Sequence, residues 1–280
     1  MRLATYRFDD GAGPALVLGD RVADLRRHAP TMRALLAAGL HERPVEPGPD
    51  VPLDLARLLP PVPDPALFLG VGLNYRDHAA EVGRAPPERP PVFAKLPASL
   101  VGPYDAVAHP GWSDTFDYEG ELGVVVGRGG RGIAAEDAMA HVAGYVVVND
   151  LTVRALAAPD TLLLAKNGPG MAPFGPWITT ADEIADPHAL PIRTWVNGEP
   201  RQDGRTDQLH HRIPQLVAFV SRAVPLSPGD VISTGSPAGS GAGFSPPRWL
   251  RPGDAVRVGI DGLGAIENRI VGSSPGGGRS

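Results

Sequence analysis

The stretch DTFDYEGELGVVVGRG, residues 114–129, decides how this chain is read. Asp117, Glu119 and Glu121 stand at every second position before the segment turns apolar. That period belongs to a β-strand, whose alternate side chains share a face. The three acids fall on one face, and Tyr118, Leu122, Val124 and Val126 fall on the other, which is apolar. At ~3.3 Å rise per residue, Glu119 and Glu121 have Cα atoms roughly 6.5 Å apart, so their carboxylates can converge on one point. Unpaired, they repel and one is pushed toward protonation; a divalent cation removes that conflict. A third acid, Asp150, ends AGYVVVND (143–150), read as a neighbouring strand. Two glutamates and an aspartate with open positions suit Mg²⁺, Mn²⁺ or Ca²⁺. A solvated strand face with scattered acids fits the same spacing, and nothing in the linear sequence brings Asp150 to the pair.

Outward from this stretch, short apolar runs recur: LFLGVG, GELGVVVG, GPWITT, IRTWVNG, DVISTG, DAVRVGID and GAIENRIV, punctuated by glycine, proline or aspartate. Helical patterns are fewer, around YRDHAAEVG, AEDAMAH, TVRALAA and IPQLVAFVSRAV. Many strands and few helices predict an α+β, predominantly β domain, a sandwich or roll, over residues 64–272. Before it, RLATYRF and PALVLGD around DDGAG read as a hairpin, and TMRALLAAGL as a short helix ending at Gly39. A proline-rich linker follows, so residues 1–63 are read as a small N-terminal domain with linker. The tail SSPGGGRS, 273–280, is expected to be disordered.

Glycine (35) and proline (32) together make about a quarter of the 280 residues, well above the usual share. Dispersed among apolar runs, they predict many turns. A net charge of −5 without a long basic run argues against a nucleic-acid partner. With no cysteine in the chain, disulfides, thiolate zinc sites and cysteine nucleophiles are excluded. The N-terminus MRLATYRFDDGAG lacks the apolar core of a signal peptide, and no run approaches the length of a membrane span. A soluble, cytoplasmic protein is expected.

A second constellation lies in NYRDHAAEVG, where His78 and Glu81 are three residues apart and, on a helix, neighbours on one face. A carboxylate beside an imidazole fixes its tautomer and raises its basicity, as a general base requires. A surface pair on an ordinary amphipathic turn would have the same spacing. Gly70, Gly72 and Gly83 bracket the segment, either as hinges of a mobile lid or as element ends.

In order, GLNYRDHAAE, PPVFAKLPASLVGPYDAV, DYEGELGVVVG, GYVVVNDLTVR, AKNGPGMAPFGPWI, VNGEPRQDGRT and LSPGDVISTGSPAGSG resemble the fumarylacetoacetate hydrolase (FAH) family, in its smaller acylpyruvate-hydrolase-like branch. The resemblance covers roughly residues 66–270 and implies a mixed β-sandwich or β-roll domain behind a small N-terminal domain, commonly as a homodimer. It implies one Mg²⁺ or Mn²⁺ per subunit, with Ca²⁺ as a substitute, held by Glu119, Glu121 and Asp150, and leaves Asp117 outside. His78 and Glu81 would be an acid–base dyad on a lid. Lys166 would face developing negative charge, Arg154 would border the site, and the turn Thr234, Gly235, Ser236, Pro237 would bind the substrate carboxylate.

The substrates so implied are small 2-oxo acids or 1,3-dicarbonyls. Hydrolysis of a C–C bond in an acylpyruvate through a metal-stabilised enolate is the first expectation; a decarboxylase or keto–enol tautomerase or isomerase at the same site is the alternative. Departures from the family pattern concern the pocket lining. Ala155 and Ala157 replace an aspartate and a glutamine, Asn167–Gly170 follow the lysine, and Ser236 and Ser240 alter the turn. A larger or less polar distal group on the substrate is expected. A glycosidase would need its two acids across a sugar-sized cleft, which adjacent acids on one strand face do not provide. A non-catalytic relative would have lost ligands or dyad, and both sets are present.

Overall fold

The computed structural model describes residues 1–272; the expected tail, 273–280, lies outside them. Strand Gly120–Val126 lies at the centre, buried along its whole length. It pairs antiparallel with Val142–Asn149, Glu121 opposite Val148 and Val124 opposite Tyr145, and on its other side with Val231–Ser233. Leu122, Val124 and Val126 enter one hydrophobic cluster with Tyr145 and Val147, and Val125 enters another with Val146 and Val148. Both faces are therefore covered, which explains the near-continuous apolar run after Glu121.

The strand is shorter than the acid spacing suggests. Phe116–Asp117 forms a separate ladder with Thr152–Val153, and the chain leaves strand geometry at Tyr118 and Glu119. Asp117 thus shares no strand face with the two glutamates, and Tyr118 packs in a third cluster with Phe116 and Leu151. Asp117 and Glu121 stand in two different ladders, with Glu119 in the break between them.

One large sheet runs through Asp50–Pro52, Arg21–Asp24, Gly11–Leu18, Arg2–Phe8, Ala172–Thr180, Val142–Asn149, Gly120–Val126, Val231–Ser233, Phe68–Val71 and Val92–Ala94. A second runs through Glu199–Arg205, Pro191–Val196, Ala255–Ile260, Gly264–Val271 and Val107–Ala108. Ile192, Val258, Ile260 and Ile266 of the second sheet pack on the central strands in the first cluster. The fold is predominantly β, two packed sheets with short helices. The N-terminal hairpin is present, Leu3 opposite Leu16, and continues the large sheet where Arg2 meets Thr179. The proline-rich stretch contributes the short strands Asp50–Pro52 and Leu58–Leu59.

Among the described residues four α-helices accompany the sheets: α1, Met32–Ala37; α2, Arg76–Glu81; α3, Leu162–Ala165; and α4, Ile213–Ala223. The Thr31 hydroxyl accepts the Ala34 N–H at 3.2 Å to cap α1, and Gly39 stands at φ +66° just beyond it. In α4, Ile213, Leu216, Val217 and Val220 form a buried helical stripe. Two expected helices are not α-helical. AEDAMAH yields a 3₁₀ turn at Ala138–His141, and TVRALAA yields the strand Thr152–Val153 followed by a 3₁₀ turn at Arg154–Leu156. The β-branched Thr152 and Val153 pair with Asp117 and Phe116, so a strand partner outweighs the helical preference of the alanines. Among the described residues no helix is long and apolar enough to cross a membrane.

Gly144 exposes the tightness of the central pairing. A Cβ there would strike the Thr179 carbonyl and lie 2.9 Å from Ile178 Cγ2. Gly144→Ala should cost about 1–3 kcal/mol through overpacking, read as a lower urea midpoint with an unchanged m-value.

Candidate metal centre and active site

The large sheet brings the acids together at one end of its central pair. Gly120 pairs with Asn149, so Glu119 and Glu121 flank the end of the strand that delivers Asp150, and the Asp150 N–H donates to the Glu119 carbonyl at 2.8 Å. Glu119, Glu121 and Asp150 are all buried, with carboxylate oxygens within 4.8 Å of one another. The Asn149 side-chain oxygen Oδ1 accepts the Glu119 N–H at 3.1 Å and fixes the backbone at the break.

Three cationic side chains answer these charges. Lys166, directly after α3, donates to Glu119 Oε2 at 2.5 Å and to Asp150 Oδ2 at 2.6 Å. Lys95 donates to Asp150 Oδ1 at 2.7 Å, to the Met171 carbonyl at 3.1 Å and to the Lys166 carbonyl. Arg154 places Nη2 2.7 Å from Glu119 Oε1. Burial opposes the charge on Glu119, but Lys166, Arg154 and His78 outweigh it and hold that carboxyl well below the usual range. Burial also opposes the Lys166 ammonium, yet Asp150 and Glu119 raise its pKa above the ordinary lysine value. Burial wins at Lys95, lowering its pKa.

Glu121 is different. Its direct donors are neutral, the Ser233 hydroxyl at 2.6 Å and the Gly235 N–H at 2.9 Å, both on Oε2. Burial, with Asp150 and Glu119 adding repulsion, pushes its carboxyl up to about 8. A cation shared by the three carboxylates would relieve that repulsion, and three carboxylates make a hard oxygen donor set. The residues therefore fit a divalent ion of the Mg²⁺, Mn²⁺ or Ca²⁺ kind. The buried Asn149 Nδ2, Thr234 Oγ1 and Tyr75 Oη have no hydrogen-bond partner among the described residues, as expected beside a polar ligand.

The histidine segment forms α2, and His78 Nδ1 lies 2.9 Å from Glu81 Oε2. Glu81 Oε1 accepts the Gly239 N–H at 2.9 Å. Burial raises the Glu81 pKa, but His78 and the Gly239 N–H lower it further, leaving it below the ordinary value. An anionic Glu81 holds the proton on Nδ1 and leaves Nε2 as the basic nitrogen. The TGSP turn is largely committed to the protein. Gly235 N–H serves Glu121, and Ser236 Oγ accepts from Gln202 Nε2 at 2.7 Å. Of the three turn residues expected at the substrate, Thr234 alone keeps an uncommitted buried hydroxyl.

Sequence reasoning passed over Lys95, Asn149 and Ser233. Lys95 left one signal, a basic residue inside the apolar segment PVFAKLPASLV with Phe93 two positions before it, where strand alternation turns both side chains inward. Asn167, one of the departures, ties the two lysine segments: its side-chain amide donates to the Ala94 and Leu163 carbonyls, each at 2.8 Å, and its oxygen accepts the Leu96 N–H at 2.5 Å.

Two packed sheets surround a buried Glu–Glu–Asp cluster that could hold a divalent cation, with lysines on the acids and a His–Glu pair on the neighbouring helix. Residues 68–271 match the family described as fumarylacetoacetate (FAA) hydrolase, C-terminal, and the chain belongs to that family. It is 38% identical, over 97% of its length and 92% of the relative's, to the human protein named oxaloacetate tautomerase FAHD2A, mitochondrial. Among solved structures it is similar to fumarylacetoacetate hydrolase from psychrophilic Exiguobacterium antarcticum, with a TM-score of 0.86, 34% identity and coverage of 97% of this chain and 99% of that one. It is also similar to 5-carboxymethyl-2-hydroxymuconate delta-isomerase from Mycobacterium smegmatis, with a TM-score of 0.81, 32% identity and coverage of 98% and 100%.

Lys95→Met would leave a buried Asp150 oxygen and two carbonyls without their donor. Breaking a buried pair on one side costs about 3–5 kcal/mol, so the variant should unfold at markedly lower denaturant. An unchanged midpoint would show that the ammonium is not needed there.

Proposed function

We propose that the protein acts on a small 2-oxo acid or 1,3-dicarbonyl through its enolate, at a divalent cation held by Glu119, Glu121 and Asp150. What supports this reading is the buried acid cluster with a lysine ammonium on it, together with a His–Glu pair whose imidazole acts on the Glu119 charge. The cation would polarise the 2-oxo group and favour the enolate as a Lewis acid. His78 Nε2 takes and returns the proton, with Glu81 holding the imidazole in orientation. Lys166, kept cationic by its acid neighbours, stabilises negative charge where it develops. Arg154 and the Thr234 hydroxyl orient the substrate carboxylate, while Gly235 and Ser236 shape the turn that presents it.

Two outcomes share this machinery. In tautomerisation or isomerisation, His78 moves a proton on the substrate itself; in hydrolysis, it draws the proton from water, which attacks the remote carbonyl as the C–C bond breaks. The near full-length similarity to a protein named as an oxaloacetate tautomerase favours the first. C–C hydrolysis of an acylpyruvate is the second reading, supported by the hydrolase of the same fold. The same proposal takes the protein as a cytoplasmic homodimer, a state that sedimentation velocity measures.

An NMR time course with Mn²⁺-free Mg²⁺ buffer and an EDTA control separates the outcomes. Faster enol–keto exchange of oxaloacetate means tautomerase, whereas pyruvate plus the matching acid from acetylpyruvate means hydrolase. Glu119→Ala and Asp150→Ala should abolish cation binding and turnover alike; full activity in either ends the metal reading. His78→Ala should keep cation affinity while slowing turnover about 10²–10⁴-fold, and a loss of affinity there would make His78 a ligand.

A further inference from the structure

Asp117, the first acid of the opening stretch, is fully buried and lies outside the acid cluster. Its carboxylate is nonetheless saturated. Oδ1 accepts the N–H of Gly241 at 2.7 Å and of Tyr118 at 2.9 Å; Oδ2 accepts the N–H of Ala242 at 3.0 Å and Nε of Arg154 at 2.8 Å. The donors come from three parts of the chain: the strand break, the 239–243 loop, and the 3₁₀ turn that follows Asp150.

Each of the distant donors leads onward. Arg154 reaches Glu119 with Nη2, 2.7 Å from Oε1. The loop reaches Glu81 through the Gly239 N–H, 2.9 Å from Oε1. Tyr118 adds a second hold on that loop, its hydroxyl donating to the Gly239 carbonyl at 3.1 Å. The loop fits only because of its glycines. A Cβ on Gly241 would lie 2.5 Å from Asp117 Oδ1 and strike the Arg248 carbonyl, and one on Gly243 would strike the Glu81 carboxylate. An unbroken series of polar contacts thus joins Glu119 to Arg154, Asp117, the loop, Glu81 and His78.

We propose that Asp117 is a positioning residue that ties the cation cage to the proton-moving dyad, setting Arg154 against Glu119 while pinning the loop that clamps Glu81. This rests on the reading of Glu119 as a cation ligand. A buried aspartate serving stability alone would leave cage and dyad independent of one another.

The test is Asp117→Asn in the full-length protein, which replaces one acceptor oxygen by a donor and breaks half of the contacts. Mn²⁺ binding followed by EPR should weaken about 10–100-fold, the usual effect of disturbing the groups that orient metal ligands. Hydrogen exchange by mass spectrometry should show faster exchange at residues 239–243. In turnover, the loss caused by Asp117→Asn should shrink in a Glu81→Gln background, because both act on the same dyad. Arg154→Lys should weaken Mn²⁺ binding and leave the loop protected, separating the two arms. Unchanged Mn²⁺ affinity, unchanged loop exchange, or full additivity with Glu81→Gln overturns the tie. If Asp117→Asn does not fold, Gly241→Ala pushes the loop away from the same carboxylate, and unchanged Mn²⁺ affinity in both Gly241→Ala and Arg154→Lys overturns it. A wild-type protein that binds no Mn²⁺ brings down the cation reading itself, an outcome distinct from Mn²⁺ bound equally by wild type and variant.

Discussion

Like charges buried side by side are the constraint around which this molecule is arranged. Glu119, Glu121 and Asp150 are all buried, and taking one ionised carboxylate out of water costs several kcal/mol unless it is paired. The pairing groups come from far along the chain. Lys95 leaves a short edge strand, Arg154 a 3₁₀ turn, and Lys166 the end of α3. The acids therefore hold three connecting segments in place as much as those segments neutralise the acids. A loop that lost its cation would also leave a bare charge in the core, so the site and the local fold stand or fall together.

The sheets supply what such a cluster needs, a rigid frame reached from one end. Gly120–Val126 and Val142–Asn149 are largely apolar below the acids and become polar at the end they share, where the first strand starts with Glu121 as its second residue and the second finishes at Asn149. Packing on both sides fixes the register, because a slip of one residue would move Glu121 into a hydrophobic cluster. The accuracy of the site is inherited from valines that never touch it.

What the sequence disclosed follows the range of the interactions. Glu119 with Glu121, two apart, and His78 with Glu81, three apart, are close in sequence, so spacing suggested each as a pair, although Glu119 proves to lie just before the strand. The predominance of short strands was equally legible, since glycine and proline punctuate them locally. Asp150 joins the pair through the Gly120–Asn149 register, which the linear chain does not display; resemblance to the family supplied that ligand. Lys95 acts on an acid 55 positions away, beyond any periodicity. Asp117 misled the strand reading because the alternation of acids continues through a point where the backbone departs. TVRALAA misled in the opposite sense: its helical composition yields to a two-residue ladder with a distant partner. The TGSP segment was read as a substrate-binding turn, yet its Gly235 N–H serves Glu121, a use that only the folded geometry reveals.

The continuity of the large sheet has a consequence for what counts as the working unit. Strand Ala172–Thr180 is interior because Arg2–Phe8 lies against part of it. A polypeptide trimmed to the segment matched by the family, 68–271, would bare part of that flank as unpaired N–H and C=O groups and uncover Phe174 and Ile178, which share a cluster with Leu3 and Leu16. Exposed flanks of this kind recruit strands from other molecules. The first residues thus cover hydrogen-bonding groups and side chains that would otherwise be bare, and grafting the family-matched portion onto another protein would require carrying its N-terminal strands with it.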